Sequence, residues 1–371
     1  MRLKTPSALA FSHRLNEGRK HDIDIAKMIA IFAVMLDHSQ YYVGPVYASQ
    51  YFMVFRILLF GFYLQIFFVT VGLVDREDYL TGTQSWKQFL QKLFTSLLVP
   101  YLVWSLILGT RTDIGFIKGL LWGTQTSLST AGTDSILWFL PVLFFSRIIY
   151  RAVMKLMFRF VHKQSVPFLL AAALILAASG SFLADGGKNT VIWGLDIALV
   201  CASLILIGRL LTPTLEWLRR QKWQKKLLLL AGLGVLTIIT SFLNMPFDVN
   251  DTGLVIYRFS VWMAHSCFGA NWFLFLVNSA ISCLAVLTAS MLLDKCTFLA
   301  YWGQYTLGFM LIHIKMYPLV ANVLLLIPGF SSISSIPMAV IVTAAVTVSC
   351  IPVIAFIDHF IPELLGKKRL S

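Results

Sequence analysis

Stretches of about 18 or more mostly apolar residues follow one another from residue 24 to residue 358, and each is long enough to cross roughly 30 Å of hydrocarbon at about 1.5 Å per residue. With 58% hydrophobic and only 13% charged side chains in 371 residues, the apolar faces must meet lipid rather than water. A β-barrel would show short alternating segments instead, and only helices or a closed barrel satisfy every backbone group inside a membrane. The sequence therefore predicts an all-α, polytopic integral membrane protein of about ten transmembrane helices. The spans are placed at 24–43, 52–74, 89–109, 135–155, 166–184, 190–211, 227–244, 271–293, 300–325 and 336–358.

The basic residues orient these spans, because Lys and Arg collect in cytoplasmic loops. With both termini cytoplasmic, only Arg111, Lys118, Lys188 and Arg258 fall on outer segments, and Lys27, Arg56 and Lys315 fall inside spans. Every other lysine and arginine lies on the cytoplasmic side. A missed or invented helix would scramble that alternation. The expected organisation is a cytoplasmic N-terminal segment (1–23), one membrane domain (24–358) and a basic cytoplasmic tail (359–371). The polar, basic first 22 residues lead into an apolar run long enough to span, so no cleavable signal is expected. The outer segments at about 110–134 and 245–270 are too short for a soluble domain. The second, containing Gly253-Leu-Val-Ile-Tyr-Arg258 and apolar residues to Phe268, is expected to lie along the interface or to re-enter the membrane.

A net charge of +13 on a compact basic surface would point to nucleic acid. Here the charge is divided among short loops, which topology and anionic headgroups explain, so no nucleic-acid partner is expected. Cys201, Cys267, Cys283, Cys296 and Cys350 have no metal-ligand or CxxC spacing, so neither a metal site nor a disulfide frame is expected.

Function must be read from polar groups where lipid disfavours them. The first span carries most of them, in His21-Asp22-Ile23-Asp24-Ile25-Ala26-Lys27 and then Asp37-His38-Ser39. At 100° per residue, Lys27 and His38 differ by about 20° around the axis and Asp24 lies about 40° from His38. Three polar groups share a face that should line a bundle interior, with His38 about 16 Å beyond Lys27. Plainer readings stand beside this one: Asp24 and Lys27 as an i, i+3 pair with Lys27 snorkelling, and His38 as a hydrogen-bonded interfacial histidine. Asp37, about 100° off the face, is expected to be a solvated outer residue. Arg56 is expected to snorkel, and Pro141 to kink the fourth helix.

Asp24-x-x-Lys27, then ten residues, then His38 resembles the first-helix signature of the membrane acyltransferase 3 family. Phe89-Leu-Gln-Lys92, Leu97-Leu-Val-Pro100-Tyr101, Trp138-Phe-Leu-Pro141 and Trp302-Gly-Gln-Tyr-Thr306-Leu-Gly-Phe-Met-Leu-Ile-His313 follow in the family's order. Many members have two arginines on the cytoplasmic approach to the third helix; this chain offers Lys92, followed by Phe94, Thr95, Ser96 and Leu97.

The resemblance implies an O-acyltransferase of a bacterial plasma membrane. It would move an acetyl or succinyl group from acetyl-CoA or succinyl-CoA, a substrate rather than a resident cofactor, to a hydroxyl of a surface polysaccharide or lipid-linked oligosaccharide, with polysaccharide export machinery as a possible partner. On that reading His38 takes the hydroxyl proton. Lys27 and Lys92 hold the donor and Asp24 orients Lys27. Trp138, Arg258 and His313 contact the acceptor. Trp138 also reads as part of an aromatic belt, Arg258 as an interfacial anchor and His313 as an interhelical hydrogen bond. Arg147, Arg151 and Lys155 read as topology signals or as a phosphate site. Direct transfer and a covalent acyl-enzyme relay both stay open. The rival reading is a transporter or flippase using the same intramembrane Lys, Asp and His, though the chain shows no internal repeat. A polymerase or glycosyltransferase would carry a larger outer loop.

Overall fold

A computed structural model describes residues 20–47, 49–75, 85–184, 191–251 and 253–367. Most of the N-terminal segment, the end of the tail, and Arg2, Lys4, Arg14, Arg19, Arg76, Lys188, Lys368 and Arg369 lie outside the described residues.

Helix α1 (His21–His38) ends in a 3-10 turn to Tyr41. It is followed by α2 (Gly44–Tyr47), α3 (Gln50–Leu59) and α4 (Gln65–Val74). Helix α5 (Trp86–Leu93) passes through a π-helical turn at Phe94–Leu98 into α6 (Val99–Leu108). Pro100 accounts for that turn: it has no N–H to offer the carbonyl of Ser96, and its ring crowds that carbonyl. The loop that follows holds α7 (Ile114–Trp122) and α8 (Gln125–Thr130). Longer or paired elements follow: α9 (Phe139–Val161), α10 (Val166–Leu183), α11 (Leu195–Arg219), α12 (Trp223–Asn244), α13 (Trp272–Leu292) and the pair α14 (Thr297–Trp302) and α15 (Thr306–Leu325). The last helix is α16 (Ser335–Phe360).

Among the described residues, 8 helices are long and apolar enough to cross a membrane. They coincide with the expected spans from the third onward. The segment expected as the first span forms the 18-residue α1, which carries Asp22, Asp24, Lys27 and Asp37 and is not among the eight. The second, expected as one helix over 52–74, is instead two ten-residue helices, α3 and α4, separated at Phe60–Leu64. Hydropathy runs through the break unchanged; backbone hydrogen bonding does not. The Gln65 amide donates to the Phe60 carbonyl at 2.7 Å and accepts from the Leu64 N–H at 3.2 Å, satisfying groups that the break frees.

Helix α1 is enclosed, packing against α3, α4, α13, α14, α15 and α16. Helix α10 shows Leu170, Ile175 and Phe182 on its outside, and α12 shows Leu228, Val235, Leu236 and Ile239. Such continuous apolar surface belongs against lipid tails. Helix α11 approaches α4 backbone to backbone. A Cβ on Gly208 would meet the Val69 carbonyl, and one on Gly72 would meet the Ile205 carbonyl. Small residues permit this close crossing. Gly208→Ala is therefore expected to lose about 1–3 kcal/mol through overpacking. Gly232→Ala, which faces open space on α12, should lose nothing. Thermal unfolding of both purified variants checks the contrast, and equal behaviour would contradict the close crossing.

The 245–270 segment is built largely of strands and turns. It forms two antiparallel hairpins, β1 (Phe247–Val249) with β2 (Val255–Tyr257), and β3 (Val261–Trp262) with β4 (Cys267–Phe268). The Asn250 side chain takes the Leu254 N–H at 2.8 Å at the first turn, and Gly253 adopts φ 78. Pro141 does not kink a helix, because it sits in the first turn of α9, where a missing N–H leaves nothing unpaired.

Candidate active site

One face of α1 walls a cavity of about 1070 Å³. Ile23, Lys27, Ile31, Val34 and His38 line it at helical spacing, and their rise of about 1.5 Å per residue carries the cavity about 22 Å along the axis. Thr70, Val74 and Leu97 line the Lys27 end, so the π-helical turn shapes that wall. Tyr257, Val261 and Trp262 of the hairpins line the wall together with Arg56 and Trp138.

The two histidines meet in this cavity. His38 Nδ1 lies 2.9 Å from His313 Nε2, with the rings nearly parallel at 12°. His313 Nδ1 lies 2.8 Å from the Phe309 carbonyl. The hydrogen-bond network assigns the protons. A carbonyl only accepts, so His313 Nδ1 carries a hydrogen, and the Nε2 of the neutral ring has a lone pair. His38 Nδ1–H donates to it. That leaves His38 Nε2 as a lone pair without a described partner, on a residue that lines the cavity. A fully buried His313 thus orients His38 as the third group of a triad orients its base.

At the other end Lys27 Nζ pairs with Asp24 at 2.6 Å. The Asp24 carbonyl abuts Gly303, where any side chain would collide with it. The Trp302-Gly303 corner before α15 thereby locks the helix carrying His313 onto the helix carrying His38 and Lys27. Thr306 also lines the cavity.

Asp37 and Arg56 differ from expectation. Asp37 is 4% exposed, pairs with the Arg56 guanidinium, and both line the cavity. It is therefore not a solvated residue, and Arg56 does not snorkel; its guanidinium also lies 5.0 Å from the Phe60 ring centroid. Nothing along the chain pairs them, since the angle of Asp37 on α1 does not reveal that α3 places a cation opposite it.

Trp138 is buried, lines the cavity and meets Phe139 edge to face at 6.0 Å. Lys92 is exposed on α5 and is not among the cavity-lining residues. Arg258 also stands outside the lining; it is 63% exposed and forms two bonds to Asp248, at 2.7 and 2.9 Å, across the first hairpin. Those bonds hold the Asp248 carboxyl below its ordinary range and raise the Arg258 guanidinium. Arg151 is buried with its guanidinium 4.2 Å from the Phe89 ring centroid and 5.1 Å from that of Trp86. Arg219 pairs with Asp22 at 2.8 Å.

A hydrogen-bonded histidine pair thus stands at one end of a long cavity and a lysine at the other. A family model described as an acyltransferase domain matches residues 20–355, a stretch that holds every residue lining the cavity. No curated protein and no solved structure matches the chain. The family match and the ordered motifs agree along nearly the whole length: the chain belongs to the membrane acyltransferase 3 family.

Proposed function

We propose that this acyltransferase moves an acetyl or succinyl group from a coenzyme A thioester to a hydroxyl of a surface polysaccharide or its lipid-linked precursor. The enzyme would cross a bacterial plasma membrane ten times, with α1 and the broken α3–α4 pair adding to the eight apolar helices and both termini in the cytoplasm. The observation that carries this reading is the continuous cavity from Lys27 to the His38–His313 pair.

The donor's phosphates stay near Lys27, and its flexible arm extends along Ile31 and Val34 to bring the thioester to His38. The acceptor hydroxyl gives its proton to His38 Nε2 as its oxygen attacks the thioester carbonyl. The C–S bond then breaks, and the proton on His38 passes to the departing sulfur. An ester and a free thiol result, with no metal required. Direct transfer suits the wall: among the described residues no cysteine lines the cavity, and none of its serines, threonines or tyrosines hydrogen bonds to either histidine.

Protein reconstituted in vesicles, given acetyl-CoA or succinyl-CoA and de-esterified polysaccharide, should release free thiol only when both substrates are present. Thiol release that ignores the glycan would contradict the acceptor assignment. Lys27→Gln should raise the donor KM about tenfold or more, the scale of a lost charge-assisted bond. The double variant with Asp24→Asn, which also removes the carboxylate paired with Lys27, should keep the high KM.

A further inference from the structure

Resting on the acyl-transfer reading above, we propose that Arg56 is a catalytic residue: its guanidinium holds the carbonyl oxygen of the donor thioester and stabilises the negative charge that gathers there during transfer. Asp37 and His38 are consecutive on α1, and both line the cavity together with Arg56. The Asp37 carboxylate accepts a hydrogen bond from Arg56 Nε, so the guanidinium stands beside the turn of α1 that carries the base, and its charge acts on the His38 ring. His38 Nε2 takes the acceptor proton, so the carbonyl under attack must lie at this end of the cavity. Among the described residues lining the cavity the cations are Lys27 and Arg56, and Lys27 is about 16 Å away along α1.

The guanidinium is both reachable and fixed. Such a group carries N–H donors on all of its nitrogens and no acceptor. Nε donates to Asp37, Nη1 donates to Met53 Sδ at 3.2 Å, and the Tyr257 oxygen stands close by. Donors are left over, and 12% of the side chain is exposed on the cavity wall. Phe60 packs beneath, its ring centroid 5.0 Å from the guanidinium carbon. The Tyr257 hydroxyl donates to the Met53 carbonyl at 2.7 Å and so ties the first hairpin to the turn of α3 that carries Arg56. A donor held on several sides before substrate arrives needs no reorganisation as charge develops.

The chemistry balances around this group. As the acceptor oxygen attacks the carbonyl carbon, the C=O π pair moves onto the carbonyl oxygen and the hydroxyl proton moves to His38 Nε2. An oxyanion and an imidazolium therefore appear together, beside an Asp37–Arg56 pair whose own charges sum to zero, so the cavity gains no net charge. Arg56 N–H groups meet the oxyanion where little water competes with them. The pair then returns to re-form the carbonyl, the C–S bond breaks, and the proton on His38 goes to the sulfur. Arg56 gives up no proton at any step.

The test uses the full chain in nanodiscs and ketone analogues of acetyl-CoA and succinyl-CoA, with a methylene in place of the thioester sulfur and an isotope label on the ketone carbon. These present the carbonyl but cannot transfer it. Carbon NMR of the wild-type complex should place the ketone resonance downfield of its position in water, the sign of a hydrogen bond to its oxygen. Asp37→Leu/Arg56→Met removes both charges; it should bind the analogue, leave the resonance near its position in water, and lose about 10²- to 10³-fold in kcat with the donor KM held, the scale of one lost oxyanion donor. Arg56→Lys keeps an ion pair with Asp37 but gives up the planar fork, and should fall between the two in both readouts. A double variant that loses kcat while its ketone resonance stays where wild type puts it would make Arg56 structural only, and would overturn the assignment. So would a raised donor KM with kcat unchanged. If wild type shifts the ketone but transfers no acyl group to a glycan, the carbonyl site stands and the acceptor reading falls; if wild type binds neither analogue, both fall.

Discussion

Alanine at position 38 lowers ester formation by about 10²- to 10⁴-fold, the range set by loss of a positioned general base. The argument rests on where the protons sit. Phe309 fixes the tautomer of His313, His313 fixes that of His38, and only His38 Nε2 is left to take a proton from the acceptor. His313→Ala removes the orienting partner but keeps the base, so its loss should be smaller, about tenfold to a hundredfold. Both variants should keep the wild-type donor KM, because Lys27 lies about 16 Å away along α1. Imidazole supplied in solution should restore part of the His38→Ala activity, since the cavity has room for it. Steady-state kinetics with each substrate varied checks all of this. A donor KM that rises in His38→Ala while kcat holds would place His38 in donor binding instead.

Breaking the Asp37–Arg56 pair comes second in size. Arg56→Ala leaves an uncompensated carboxylate, 4% exposed, at the end of α1, and loss of one partner of a buried pair costs about 3–5 kcal/mol. The cavity beside it admits water, so the lower end of that range is expected. Asp37→Leu with Arg56→Met removes both charges, and its thermal stability should return to near wild type. Its activity should not recover to the same extent, because both residues line the cavity next to His38. A double variant no more stable than Arg56→Ala would show that the pair acts through packing and not through charge.

How much of this was legible in the sequence depends on which interactions set each feature. Helical periodicity alone placed Asp24, Lys27 and His38 on one face, because angles within a single helix are fixed by backbone geometry. The structure puts Lys27 and His38 on the cavity wall, with Asp24 paired to Lys27. Contacts between helices were not legible. Asp37 looked solvated because nothing in its neighbourhood along the chain announces Arg56, and His313, read as an acceptor contact or an interhelical hydrogen bond, makes such a bond, but the sequence could not show that its partner is His38. The break between α3 and α4 was hidden by unbroken hydropathy; Gln65, a buried amide in an apolar run, was the one local sign. The hairpins at 247–268 were hidden because their side chains divide between the cavity, lined by Tyr257 and Val261, and an exposed face with Val249 and Ile256, a pattern that a hydropathy run does not separate.

The acyl-transfer account is most directly tested by proton NMR of the surface polysaccharide for ester-linked acyl groups. It compares cells carrying the wild-type chain, His38→Ala and a deletion, with membrane insertion of each protein confirmed. The ester should be present in wild type and lost in the other two, while the glycan backbone is still exported. Its identity would name the donor. Unchanged acylation in both mutants, with export of the glycan stopped, would contradict the account and turn the cavity into the path of a transporter.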